Sequence, residues 1–459
     1  MPKVTAVRPT GSLEVPQALP DGRTSTPGMF GRMPAGRLLV GLFVAGVLLQ
    51  TLFLHRGLRA WDGIREQSHV IGGDILALER MATSFVAQPG CDPYSKRTSG
   101  NGVIPGCVLK VLVGGSTRLA GDVRVTLLLI FAFHLVAGAL MLATARQAGG
   151  DEFAVIYLAV FWLSPWRLFH GGFLWEPNFI LLPAAVHAWC SWKSREQPRF
   201  VPSLVLGATL PLALQIHTSA VFLFVLTALL LLGRRLVLNP PGFVLGGVAG
   251  SLTLLPFVRA VLAGSVPAVP PDGFVGRGFV LVYPLLRPVL YWFRLGSLDL
   301  GRLHSTDSVI SIRAALEGEV ADRLVAVLLR CLEGLTLLSI LVPVLATAWL
   351  LGRPPRSDRA KGTTEPDPWV RAYAVGAFCS LFVSAGLSSV TMQKWHALIA
   401  LPAACLPVAA WLLTRRPFQR RWMSAGIGAF LGLRLVVALV LAFDFETYCI
   451  VPEHIARWF

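Results

Sequence analysis

Charge is scarce in this chain: Asp, Glu, Lys and Arg make up 14% of its 459 residues, where soluble proteins carry roughly one quarter. Acids are scarcer still, 25 against 41 Lys and Arg. The signatures of familiar soluble enzymes are also missing, with no Walker phosphate loop, no HExxH, no CxxC pair and no GxSxG elbow. Nucleotide-driven, zincin, dithiol and serine-hydrolase chemistry therefore finds no support.

What is abundant is apolar residues, 54% of the chain, with a mean hydropathy of +0.64. They cluster into nearly uncharged runs, most of them about 17 residues or more, enough to cross roughly 30 Å of hydrocarbon at about 1.5 Å per residue. Eleven spans are expected: 38–54, 125–144, 153–166, 179–192, 200–216, 219–232, 243–262, 324–351, 372–388, 397–413 and 425–443. The fold class is an all-α, polytopic membrane protein. Residues 1–37, rich in Pro, Gly and Arg, read as a disordered basic tail, and 38–459 as one transmembrane domain. The first span is followed by HRGLRAW and not by a small-residue cleavage site, which marks an uncleaved anchor.

The net charge of +16 does not point to nucleic acid, because the arginines are spread between apolar runs and form no basic face or arm. Their placement sets orientation instead. With the N-terminus in the cytoplasm, the short inner loops hold Lys193, Arg195, Arg199, Arg234, Arg235, Arg415, Arg416, Arg420 and Arg421, against only Arg167 and Lys394 in the short outer turns. Arg353, Arg356, Arg359 and Lys361 add to the inner side. The expected location is a cell inner membrane, with the C-terminus periplasmic or extracellular. Two long exoplasmic segments follow, 55–124 and 264–323.

The first of these carries GGDILALERMATSFVAQ, where Ile75, Leu78, Met81 and Phe85 recur at helical spacing, as in a helix lying in the membrane interface. Cys91 and Cys107 bracket DPYSKRTSGNGVIPG. In an oxidising compartment they are expected to form a disulfide whose loop closure is worth about 3 kcal/mol.

Four polar groups converge on the outer face. Asp74, with Glu79 further along the same helix, is a carboxylate at a helix start; it acts there either as a cap or as a general base. The turn SPWRLFHGGFLWEPNF offers Glu176 and Asn178 among interface-anchoring tryptophans. LQIHTSA places His217 at a tight turn, where imidazole both donates and accepts. TMQKWHALIALP places Lys394 and His396 at another; lysine there either snorkels or holds a phosphate. Arg259, near the outer end of its span without a local partner, is a second candidate for a lipid phosphate. Arg330 and Glu333 at i and i+3 neutralise one another, and Arg434 has no evident role.

Several of these stretches resemble the GT-C superfamily of membrane glycosyltransferases, in its branch of protein O-mannosyltransferases and lipid A aminoarabinose transferases: GGDILALERM, SGNGVIPGCVLKVL, LATAR, SPWRLFHGGFLWEPN, LQIHTSAVFLF and HALIALPA, in that order. The resemblance implies an inverting enzyme that takes a sugar from a polyprenyl-phosphate carrier and passes it to a lipid, glycan or protein acceptor at the outer face. It also implies Asp74 as catalytic base with Glu79 as second candidate. Glu176, Asn178, His217 and His396 would line the substrate cavity, and Arg259 or Lys394 would hold the carrier phosphate. Where the family often has two adjacent acids, this chain has Asp74 followed by Ile75. Metal dependence, sugar and acceptor are left open. Two other readings fit a polytopic chain: an O-antigen polymerase or ligase, which would rely on outer-loop arginines such as Arg287 and Arg294, and a lipid flippase or transporter, which would show internal repeats and midplane sites.

Overall fold

The computed structural model describes residues 35–59, 61, 71–97, 103–266, 283–298, 319–352, 366–388, 392–415 and 421–443. The tail before residue 35, most of 264–323, the segment 353–365 with its four basic residues, and the C-terminal residues 444–459 lie outside them. So does the Glu333 side chain proposed to pair with Arg330.

The α-helices among the described residues are α1 Ala35–Arg59, α2 Ile71–Ala87, α3 Val108–Ala120, α4 Thr126–Phe161, α5 Pro165–His170, α6 Leu181–Lys193, α7 Phe200–Leu214, α8 Val221–Leu232, α9 Pro240–Ser251, α10 Leu255–Leu262, α11 Tyr283–Gly296, α12 Glu319–Leu338, α13 Leu341–Gly352, α14 Pro368–Leu387, α15 Leu401–Thr414 and α16 Arg421–Phe443. Six helical stretches among the described residues are long and apolar enough to cross a membrane, and three shorter apolar ones accompany them. The protein is a multi-pass membrane protein.

The second and third expected spans share one uninterrupted helical run, α4, broken only at Gly150 (φ 80°, ψ −176°). A Cβ on Gly138 would stand 2.4 Å from the Trp162 ring, although a straight helix would hold residues 24 apart at about 36 Å. The chain therefore doubles back at Gly150, a left-handed turn open to glycine. Close packing elsewhere uses the same device: Gly242, Gly246 and Gly250 of α9 lie at four-residue intervals against the backbone of α7, where a Cβ on Gly246 would come within 2.0 Å of Leu204 O. Small residues at this spacing let membrane helices approach closely.

Helix α2 is amphipathic as expected, burying Ile75, Leu78 and Met81 and packing Phe85 over Gly114 of α3. A departure from all-helical structure follows it. Strands β1 Tyr94–Arg97 and β2 Val103–Pro105 pair antiparallel, with a bulge between Tyr94 and Lys96. Cys91 and Cys107 form the expected disulfide across the base of this hairpin, Lys110 of α3 pairs with Asp92 beside it, and Gly106 N donates to Pro93 O at 2.9 Å. Gly106 (φ 71°) fits tightly against Gln215 at the end of α7, its Cβ position only 2.2 Å from Oε1. The disulfide and the glycine contact thus pin a short hairpin, too small to be stable alone, onto the bundle.

The bundle has two distinct ends. Residues 176–178 precede α6 while Lys193 closes it; Arg199 opens α7 while His217 follows it; His396 precedes α15 while Arg415 follows it. At the second end Asp367 N donates to Ala148 O at 2.8 Å, Val237 N to Ser194 O at 2.8 Å, and Lys193 Nζ to Gln147 Oε1 at 2.8 Å. The loops expected on one side of the membrane are in mutual contact.

Candidate active site

At the first end, three segments distant in sequence meet around one ammonium. Lys96 Nζ donates to Asp74 Oδ1 and, at 2.9 Å, to Glu176 Oε1; Lys96 and Glu176 are 7% and 6% exposed. An isolated charge buried this far is strongly disfavoured, whereas an ammonium shared by two carboxylates is compensated. Hairpin alternation explains the inward lysine, since Lys96 is buried while Arg97 is exposed. The Trp175 indole donates to Asp74 Oδ2 at 2.8 Å, so both oxygens of Asp74 accept a hydrogen bond. Burial pushes the Glu176 carboxyl above its ordinary range; Lys96 opposes this and Asp74 reinforces it. Glu176 Oε2 is buried with no hydrogen-bond partner.

The histidines stand beside this triad. His217 Nδ1 accepts from Ser219 N at 3.1 Å and lies 2.8 Å from Ser219 Oγ, so the ring caps the turn that leads into α8. His396 Nδ1 accepts from Gln393 N at 3.0 Å. The two rings are 5.4 Å apart. Burial holds His217 well below the usual imidazole range, and nearby His396 and Lys96 act in the same sense.

The wall behind is the turn 164–178. Asn178 is committed to it: Oδ1 lies 2.9 Å from His170 Nδ1, Nδ2 donates to Phe173 O at 2.7 Å, and its carbonyl lies 2.9 Å from His134 Nε2. His170, lowered to about 4 by burial, stacks between Trp166 and Trp175, and Trp175 meets Trp395 at 5.1 Å. Arg167 is fully buried under Trp162, donating to Trp162 O and to Gln50 Oε1 at 2.7 and 2.6 Å. It is an internal tie of α1 to this turn.

Of the residues expected from sequence, Asp74, Glu176, His217 and His396 gather here, and Asn178 sits in their supporting wall. Lys394 is half-buried in the same turn as His396, near enough to His170 to disfavour its protonation. Glu79 is turned about 140° around α2 from Asp74, five residues at about 100° each. Arg259 is exposed on α10, and its guanidinium has no ion pair among the described residues. Lys96 escaped the sequence reading; its signal is a lysine inside a cysteine-bracketed segment, one residue from an arginine of opposite strand face. No group of three or more His, Cys, Asp or Glu among the described residues is arranged to hold a metal ion.

Neither a protein-family model nor a curated protein sequence matches the chain. In three dimensions it is similar to ArnT from Cupriavidus metallidurans, solved bound to undecaprenyl phosphate, with a TM-score of 0.51 and 14% identity over 93% of this chain and 79% of that one. The likeness is one of fold, and it extends over most of both chains.

Proposed function

We propose that this protein is a GT-C-type glycosyltransferase that moves a sugar from a polyprenyl-phosphate donor to a lipid, glycan or protein acceptor at the outer face of the membrane. The observation that carries the reading is the Asp74–Lys96–Glu176 cluster, built from three separate segments at the bundle end opposite the basic loops. Structural needs alone do not call for two carboxylates on one buried lysine, and perturbed, partly compensated charge of this kind is characteristic of reactive sites. The undecaprenyl phosphate bound to ArnT supports a lipid-linked donor of the same chemistry.

In this mechanism Asp74 is the general base. It takes the proton of the acceptor hydroxyl or amine as that group attacks the anomeric carbon, and the carrier phosphate leaves from the opposite face, inverting the centre. Lys96 and the Trp175 N–H each hold one oxygen of Asp74 and so orient the carboxylate. Lys394, half-buried in the turn that carries His396, would meet the departing phosphate, with Arg259 as the second candidate.

In vesicles reconstituted with the protein and lipid extract from its host, Asp74→Asn should abolish transfer while the protein stays folded in the membrane. Full transfer by Asp74→Asn would remove the proposed base. A polymerase or ligase relying on arginines would instead fail with Arg287→Ala or Arg294→Ala while tolerating Asp74→Asn.

A further inference from the structure

Three polar atoms at this site lack a protein partner among the described residues, and their chemistry is complementary. One is an acceptor, Glu176 Oε2, buried and unpaired while Oε1 is held by Lys96. The others are donors. In both His217 and His396 a backbone N–H points at Nδ1, which fixes the neutral tautomer with its proton on Nε2. Among the described residues neither Nε2 makes a hydrogen bond.

Charge and valence select the ligand. The ammonium bonded to Glu176 is already shared with Asp74, so it has no surplus positive charge for a phosphate. A hydroxyl satisfies both kinds of open valence at once, accepting from an imidazole N–H and donating to a carboxylate oxygen. Trp395, half-buried, adds an apolar face 5.7 Å from the His396 ring.

We propose that Glu176, His217 and His396 form the subsite that reads the hydroxyls of the transferred sugar, and so set which sugar the enzyme accepts. This rests on the glycosyltransferase reading and adds to it a division of labour: sugar hydroxyls at the glutamate and histidine pair, carrier phosphate near Lys394, proton removal at Asp74.

The test compares binding of undecaprenyl phosphate with that of undecaprenyl-phosphate-linked mannose, glucose, galactose and arabinose to the detergent-purified protein. His217→Asn and His396→Asn suit the purpose, because asparagine Oδ1 can still accept the backbone N–H while the outward donor is lost. The wild type should bind at least one sugar-linked probe about tenfold tighter than the bare carrier. Both variants should bind the bare carrier like the wild type and lose that advantage to within about twofold. Glu176→Gln, which keeps a carbonyl oxygen for Lys96, should reorder the preference among the four sugars, and it carries the test if the asparagine variants do not fold. An advantage that persists in all three variants overturns the subsite, as does the absence of any preference for a sugar-linked probe in the wild type, or an equal loss of bare and sugar-linked binding. Failure of the wild type to bind even the bare carrier would instead remove the donor reading on which the subsite depends.

Discussion

At the bundle end that carries Asp74, Lys96 and Glu176, charged side chains are buried against one another; at the opposite end they are half or wholly exposed, and their ion pairs lie at the surface, Arg146 with Asp151 at 2.7 Å and Arg195 with Glu196 at 3.1 Å. Arg195 there lies over the Trp192 ring at 3.5 Å and only 3.8 Å from Asp367, Arg371 donates to Leu350 O at 2.9 Å, and Arg234 is exposed. The same residue types thus do different work. A half-exposed arginine on a carbonyl costs little and contributes little, which suits topology determinants. A lysine shared by two carboxylates in a nearly dry site has a large desolvation cost and persists where chemistry needs it.

The comparison breaks most visibly through removal of one cation from each end. Lys96→Met leaves the buried Glu176 and the half-buried Asp74 without their counter-charge and should destabilise the protein by about 3 kcal/mol or more; Arg195→Met should change stability by less than about 1 kcal/mol. Thermal unfolding in detergent checks both, and equal effects would show that burial does not separate the two ends. Next in size is the disulfide. Cys91→Ser with Cys107→Ser, or reduction of the wild type, should cost about 3 kcal/mol of loop-closure stabilisation and lower transfer activity, because the hairpin presents Lys96 to its carboxylates.

A smaller effect sharpens the contrast through pH. His170 is held neutral in the folded protein, at about 4 against an ordinary value of 6.5. A depressed value means that the unfolded chain binds the proton first, so this stabilisation is complete above about pH 6.5 and is lost as pH falls towards 4. His217 contributes in the same direction. Melting curves between pH 7 and 4 should show the loss, and His170→Gln should flatten it.

The apolar runs made the helices legible, because a bilayer permits few other ways to satisfy the backbone. The cysteine spacing gave the disulfide for a similarly local reason, and Asp74 was visible as an acid at a helix start. Lys96 was not, since its partners are 22 and 80 residues away and YSKR reads locally as a polar turn. Arg434 was equally opaque. Its guanidinium is buried in α16 and donates to Val160 O, Gly296 O and Ser297 O, carbonyls where helices end and lack intrahelical partners.

Transfer at the outer face requires the triad end to face outward and the basic end to face the cytoplasm. Arg80→Cys, exposed on the helix that carries Asp74, and Arg234→Cys, exposed at the opposite end, report these directly in a background with the four free cysteines replaced. A membrane-impermeant maleimide applied to intact cells should label Arg80→Cys and should label Arg234→Cys only after permeabilisation. Labelling of Arg234→Cys alone in intact cells would put the carboxylates on the cytoplasmic side and contradict transfer at the outer face.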